Sequence, residues 1–320
     1  MPLVGIAKMA AESPLLEDKR RVSYLELPAK SFIGSCSGKR KIFDWTVNPY
    51  RGCEYGCRYC YARYTHEFME LSAGEFETRI FAKQWDVQQF RRELRRLAPG
   101  DTVAFGTATD CYQPAERRFG LMRRMLEEFA RHVEGVRFGI TTKSDLVARD
   151  IDLLAPLARR NDVRVNMTIT TLDTALARKL EPLAPRPSLR LEAMRKITSA
   201  GIAVGVGVSP VLPRISDSEE SIDAVAAAAK DAGARCLWAQ PLFLKDCAKV
   251  VFLPWLEAEF PALVAKYRTS YSRNAYLQGA YVDMLKERVQ RIRERHGLLD
   301  RMGGYRPPDW LGPAQLGLFA

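Results

Sequence analysis

The sequence predicts an α/β fold in which parallel strands are joined by crossover helices. Three observations lead there. From Thr102 to residue 244, short β-rich runs alternate with amphipathic stretches of helical period. Each run is short and apolar enough to be covered on both faces, the condition of a strand in a parallel sheet. A further run at 42–47 precedes a cysteine-rich loop and brings the expected strands to six.

Along the chain, residues 1–40 are polar and weakly patterned, and are expected as an extended arm or lid with Cys36 in a Gly/Ser-rich turn. The α/β body is expected over 41–245. After 42–47 its strands are TVAFGTAT (102–109), VRFGITT (136–142), VRVNMTIT (163–170), IAVGVGVSPV (202–211) and RCLWAQPLFL (235–244). The helices between them are expected at 116–132, 145–160, 188–200 and 217–232. A separate helix, QWDVQQFRRELRRL, turns Phe90, Leu94 and Leu97 inward. It groups Arg91, Arg92, Arg95 and Arg96 on a rim that Glu93 partly neutralises or that contacts phosphates. Residues 246–300 are expected as a helical extension, with two helices over 254–297 closing the open side of the body, and 301–320, with Gly and Pro throughout, as a flexible tail.

Composition narrows the class. The chain has 320 residues, enough to bury a large core, and no eighteen-residue apolar run, so no membrane partner is expected. The N-terminus lacks the apolar stretch of a secretory signal, which points to the cytoplasm. Seven cysteines, an odd number with three crowded together, do not read as a disulfide framework. The net charge of +11 favours phosphate-bearing partners, although a solvated Arg-rich surface accounts for it equally.

The chemistry is concentrated in NPYRGCEYGCRYCYAR, where Cys53, Cys57 and Cys60 lie within eight residues. Three such thiols can converge on one soft metal centre. A cubane iron–sulfur cluster is usually held by four cysteines, so three leave one iron free to bind an outside molecule. The alternative is a structural zinc knot, which needs a fourth ligand; His66 could supply it.

The pattern C-x3-C-x2-C with Tyr59 before its last cysteine resembles the signature of radical S-adenosylmethionine (SAM) enzymes. The flanking words NPYRGC and CYARYTHEF resemble the spore photoproduct lyase-like, or DNA-repair photolyase-like, branch, over residues 43–244. The resemblance implies a partial (β/α)6 barrel with ligands at the C-terminal ends of its strands. It implies a [4Fe–4S] cluster on Cys53, Cys57 and Cys60 whose fourth iron takes the amino and carboxylate groups of SAM. An external one-electron reductant would then yield a 5′-deoxyadenosyl radical.

The resemblance also directs attention to the strand ends. GTATD stands where related enzymes often carry Gly-Gly-Glu against the methionine amino group, which makes Thr107, Thr109 and Asp110 candidates by position. Lys143 could pair with the methionine carboxylate. Asn166, Thr168 and Thr170 suit the ribose, or satisfy the backbone at a strand end. Gly205 and Gly207 let a flat ring approach the fifth strand, or mark a bulge. Cys111 is a candidate hydrogen-atom donor at the barrel mouth, although it follows the Asp that such a cysteine precedes in the lyase; otherwise it is a small buried residue. His66 and Glu67 could lie near the cluster or simply pack. Tyr271, Tyr276 and Tyr281 stack bases or pack.

In the tail, Gln315, Leu316, Leu318 and Phe319 resemble the bacterial sliding-clamp-binding pentapeptide, in which apolar anchors on a disordered segment enter a groove. These features point to a radical enzyme acting on DNA damage such as a pyrimidine photoproduct. Radical modification of a peptide or small molecule, and a zinc-bearing clamp adaptor without activity, are the alternatives.

Overall fold

The computed structural model describes residues 3–19, 21–36 and 42–299. In chain order its strands are β1 (Leu15–Lys19), β2 (Val22–Leu27), β3 (Ile33–Ser35), β4 (Trp45–Val47), β5 (Tyr50–Arg51), β6 (Arg79–Lys83), β7 (Thr102–Phe105), β8 (Arg137–Thr142), β9 (Asp162–Thr168), β10 (Ala203–Val211) and β11 (Cys236–Pro241). The larger sheet has the order β11–β10–β9–β8–β7–β4–β3. Its neighbours are parallel except β3 against β4. The six expected strands are therefore present as an open (β/α)6 barrel with one added antiparallel edge. Several end early. The run expected to reach residue 109 stops at Phe105, because Gly106 turns the chain with φ +81°; a Cβ there would stand 2.5 Å from Thr141 O.

Strand alternation sorts the side chains. Val163, Val165 and Met167 on β9 and Val204, Val206 and Val208 on β10 join the main core under the helices. The residues between them, Arg164, Asn166, Gly205 and Gly207, fall on the opposite, inner face beside Gly139 and Thr141 of β8. The sheet thus has an apolar outer face and an inner face of polar or small residues, and ligands of such folds sit at the C-terminal ends of the strands.

The helices cover the outer face. Residues 116–132, expected as one helix, form Pro114–Phe119 and Leu121–His132, separated by Gly120. In the second, Leu121, Met122, Met125, Leu126 and Phe129 recur at helical spacing and are all buried. The next crossover begins as a 3₁₀ turn, Asp145–Asp150, before the helix Ile151–Arg160. Pro187–Ser199 and Glu219–Asp231 lie close to their expected places. Thr174–Leu180 was not expected; the Asp173 carboxylate starts it by accepting from Ala175 N at 2.8 Å and Leu176 N at 3.0 Å.

Two expectations are corrected. The N-terminal segment is not an extended arm: a helix, Gly5–Ala11, is followed by β1 and β2, and β2 pairs in parallel with β6 in a second sheet of order β1–β2–β6–β5. These pairings join residues far apart in sequence, so local patterning does not reveal them. The arginine rim is also partly engaged. On the helix Val87–Leu94, Arg91 pairs with Glu128 at 2.6 Å, and just beyond its end Arg96 lies over the Trp45 ring at 4.7 Å. Glu93 accepts from Phe32 N at 2.9 Å and Ile33 N at 2.7 Å, fastening the N-terminal segment instead of neutralising arginines.

After β11 come three helices, not two: Asp246–Glu259, Val264–Ser270 and Ala280–His296. The last covers β11, sends Leu285, Val289 and Ile292 into the main core, and pairs Arg295 with Asp223 at 2.7 Å. Among the described residues no helix is long and apolar enough to cross a membrane. The tail and its clamp-like pentapeptide lie outside the described residues.

Candidate active site

The cysteine loop leaves β5 at Gly52, with φ +80°. A Cβ there would stand 2.8 Å from Arg79 O and 2.9 Å from Phe76 O, so only glycine fits. Between Gly52 and the turn Tyr61–Arg63 the loop is held from outside. Gln113 donates to Gly52 O at 2.9 Å and accepts from Glu54 N at 3.0 Å, while the Thr109 hydroxyl donates to the same Gly52 carbonyl at 2.6 Å. Arg58 N donates to Leu180 O at 2.9 Å. Arg63, fully buried, donates to Cys57 O at 3.2 Å and pairs with Glu77. Tyr59 donates to the buried Glu181 carboxylate, which accepts from Thr170 Oγ1 at 2.8 Å and pairs with Arg190. Arg190 in turn donates to Pro185 O at 2.8 Å and Thr168 O at 2.9 Å, tying the loop to the end of β9.

Cys53 and Cys57 are buried, Cys60 is half-buried, and all three are free thiols. Burial raises the pKa of each: Cys53 well above the ordinary thiol value, Cys57 to about 12 against the opposing field of Lys143, and Cys60 against that of Arg63. Thiols in this state become ligands when a metal displaces their protons, which pass to solvent. They are three soft sulfur donors carried on one loop.

The structure separates the other expected residues into two groups. Thr109, Asp110, Thr107 and Thr170 use their side chains, and Thr168 its carbonyl, to hold the protein together. Asp110 accepts from Thr142 Oγ1 at 2.7 Å, Lys143 N at 2.7 Å and Tyr112 N at 2.9 Å, and Thr107 Oγ1 accepts from Asn48 Nδ2 at 3.0 Å. Lys143 and Asn166 are different. The Lys143 ammonium makes no hydrogen bond among the described residues and lies 5.6 Å from the centre of the Tyr59 ring. Burial alone would lower its pKa, but Cys57 and Glu181 outweigh burial and raise it. Asn166 is buried on the inner face with Oδ1 unpaired.

Gly205 and Gly207 do admit a flat ring, and it is the indole of Trp238. A Cβ on Gly207 would stand 2.3 Å from that ring, and one on Gly205 2.5 Å from Cys236 Sγ. Cys111, expected at a barrel mouth, has no exposed surface and belongs to the main core cluster that also holds Phe105 and Met122. His66, which the zinc reading takes as its fourth ligand, is fully buried between Phe76 and Phe81, its Nε2 2.9 Å from Arg79 O. Glu181 was missed because it follows a helix that was not expected, and Arg190 because it sits on an otherwise ordinary one. Only an arginine on the buried side of Pro187–Ser199 signals the pair.

A family model described as the radical SAM superfamily matches residues 47–225. The chain belongs to the radical SAM superfamily. An uncharacterized protein of Mycobacterium tuberculosis is 36% identical over 89% of this chain and 84% of its own length. Among solved structures, spore photoproduct lyase complexed with dinucleoside spore photoproduct has a TM-score of 0.66 at 17% identity, covering 90% of this chain and 80% of that one. A lyase variant with bound AdoMet and the same dinucleoside has a TM-score of 0.62 at 15% identity, over 90% and 80%. At these identities the likeness shows the shared fold. Radical SAM enzymes use a [4Fe–4S] cluster and SAM, and need an electron from outside. The residues here fit that equipment: three soft thiols, a free ammonium beside them, and an unpaired amide oxygen on the inner face.

Proposed function

We propose that this radical SAM enzyme acts on a damaged base in DNA, a pyrimidine photoproduct being the leading substrate class. The observation that carries the reading is the likeness to the photoproduct-bound lyase, which extends over 90% of the chain and so beyond the cysteine loop. The net charge of +11 supports it. In this reading Cys53, Cys57 and Cys60 hold three irons, Lys143 meets the SAM carboxylate, and Asn166 Oδ1 accepts from the ribose. When bound, the cluster and SAM supply a 5′-deoxyadenosyl radical. The chain's own work is to hold the thiols at fixed places through Gln113, Arg63 and Glu181, and to keep water from a largely buried site. Thr109 and Asp110 act through the backbone they hold, Thr107 and Thr170 through Asn48 and Glu181, and Thr168 through its carbonyl on Arg190. Residues 315–319 serve as a sliding-clamp contact, and the cytoplasm is the compartment.

The test is anaerobic reconstitution with iron and sulfide, followed by assay of 5′-deoxyadenosine and of repaired base with irradiated DNA. We expect about four irons per chain, and loss of the cluster when Cys53, Cys57 or Cys60 is changed to Ala. Full iron in any of those variants overturns the site. Cofactor cleavage that irradiated DNA neither stimulates nor follows with repair overturns the substrate and favours a peptide or small molecule.

A further inference from the structure

Five aromatic rings run in an unbroken line beside the cysteine loop. Phe68 meets Tyr64 edge-on at 5.5 Å, Tyr64 stacks with Tyr61 at 6.4 Å, Tyr61 meets Phe243 at 5.7 Å, and Phe243 stacks on Tyr276 at 4.2 Å. This line is not core. Phe68 is 63% exposed, Tyr276 62% and Tyr61 39%. Its centre is fixed against the barrel, since Tyr61 follows Cys60 directly and its hydroxyl donates to Thr107 O at 2.6 Å. Segments from three parts of the chain are needed to build it, and no local hydrophobic pattern asks for their rings to meet in the open.

Cations accompany the rings. Lys245 lies 4.1 Å from the centre of the Tyr64 ring. Tyr276 also lines a cavity of about 410 Å³ together with Arg214, Lys266 and Arg273, three exposed cations without an ion-pair partner among the described residues. The nearby carboxylate of Asp217 is engaged by Tyr281 at 3.1 Å and by Arg214 N at 2.8 Å. An apolar helix laid over the rings would leave these cations unanswered. A polyanion without flat groups would leave the rings unanswered. A single nucleic-acid strand supplies both, with a π-face on every base and a charge on every phosphate.

We propose that this line of rings receives a DNA single strand, bases against Tyr276 and Phe68 and phosphates against Lys245, Arg214, Lys266 and Arg273. The surface leads an unstacked base toward Tyr61 and the cysteine loop. The choice of DNA rests on the function proposed above; the surface itself rests on the rings and cations.

The experiment uses the full chain and fluorescence anisotropy with a short, undamaged, single-stranded oligodeoxythymidine. Tyr276→Ala should weaken binding roughly five- to a hundredfold, the range of one stacked base, while Tyr276→Trp retains it. An abasic strand of equal length should bind the unaltered protein as weakly. Lys266→Gln with Arg273→Gln should reduce the slope of log affinity against log salt by about 0.7 for each phosphate no longer neutralised. An abasic strand bound as tightly as the intact one overturns the stacking. Unchanged affinity and salt slope in both sets of variants overturn the surface. Repair of irradiated DNA is scored separately: repair with unchanged strand binding in the variants leaves the substrate standing and removes the surface, while weakened binding without any repair keeps the surface and removes the lesion.

Discussion

Lys143 leaves the end of β8 with its amide bonded to Asp110 at 2.7 Å and its ammonium unbonded beside Cys57 and Glu181. Replacing it with Ala takes away a cation that no hydrogen bond among the described residues engages, and a charge-assisted contact with a carboxylate is worth about 1.5–3 kcal/mol. Lys143→Ala should therefore keep its iron and bind SAM roughly ten- to a hundredfold more weakly by titration; an unchanged dissociation constant would take Lys143 out of the pocket. His66 carries a different consequence. Burial lowers its pKa to about 4 from 6.5. Between those values the unfolded ring holds a proton that the folded ring refuses, so stability falls as pH drops through that window and is unaffected by this group above it. The loss reaches about 2 kcal/mol at pH 5. His66→Gln should flatten that part of the pH profile in urea denaturation; an identical profile would show that the ring ionises freely.

At the scale of elements, the cysteine loop has little structure of its own and depends on the Glu181–Arg190 pair, both members 1% exposed at the side chain. Arg190→Met leaves a buried carboxylate without its cation, a change that costs about 3–5 kcal/mol. We expect a lower melting temperature together with reduced iron retention, measured on the same preparation; a stable variant with full iron would show that Tyr59 and Thr170 hold Glu181 unaided. The legible elements were those with a local signal. The six parallel strands announce themselves by apolar runs between amphipathic helices, and the thiols by their spacing. What stayed hidden depends on distant partners: β2 against β6, Glu93 on the Phe32 and Ile33 amides, Trp238 over Gly207. Cys111 lies five residues past the turn at Gly106 and has no exposed surface, which its place after a strand did not signal. A position just past a strand is not always a position at a mouth.

For the whole molecule, the tail is a separable appendage in the proposed function. Deleting 315–320, or changing Leu318 and Phe319 to Ala, should abolish capture of the replicative sliding clamp while iron content and cofactor cleavage stay as they were; undiminished capture would remove the clamp from the picture. The order of strands in the two sheets has a further consequence, for the time when the chain is being made. β2 and β5 pair with β6, and β4 with β7, so three strands made before the cysteines take partners synthesised after them. At about 5–20 residues per second, the thiols emerge seconds before the strands that will enclose them. A nascent chain therefore passes through an interval in which its cysteines are made but not yet walled in.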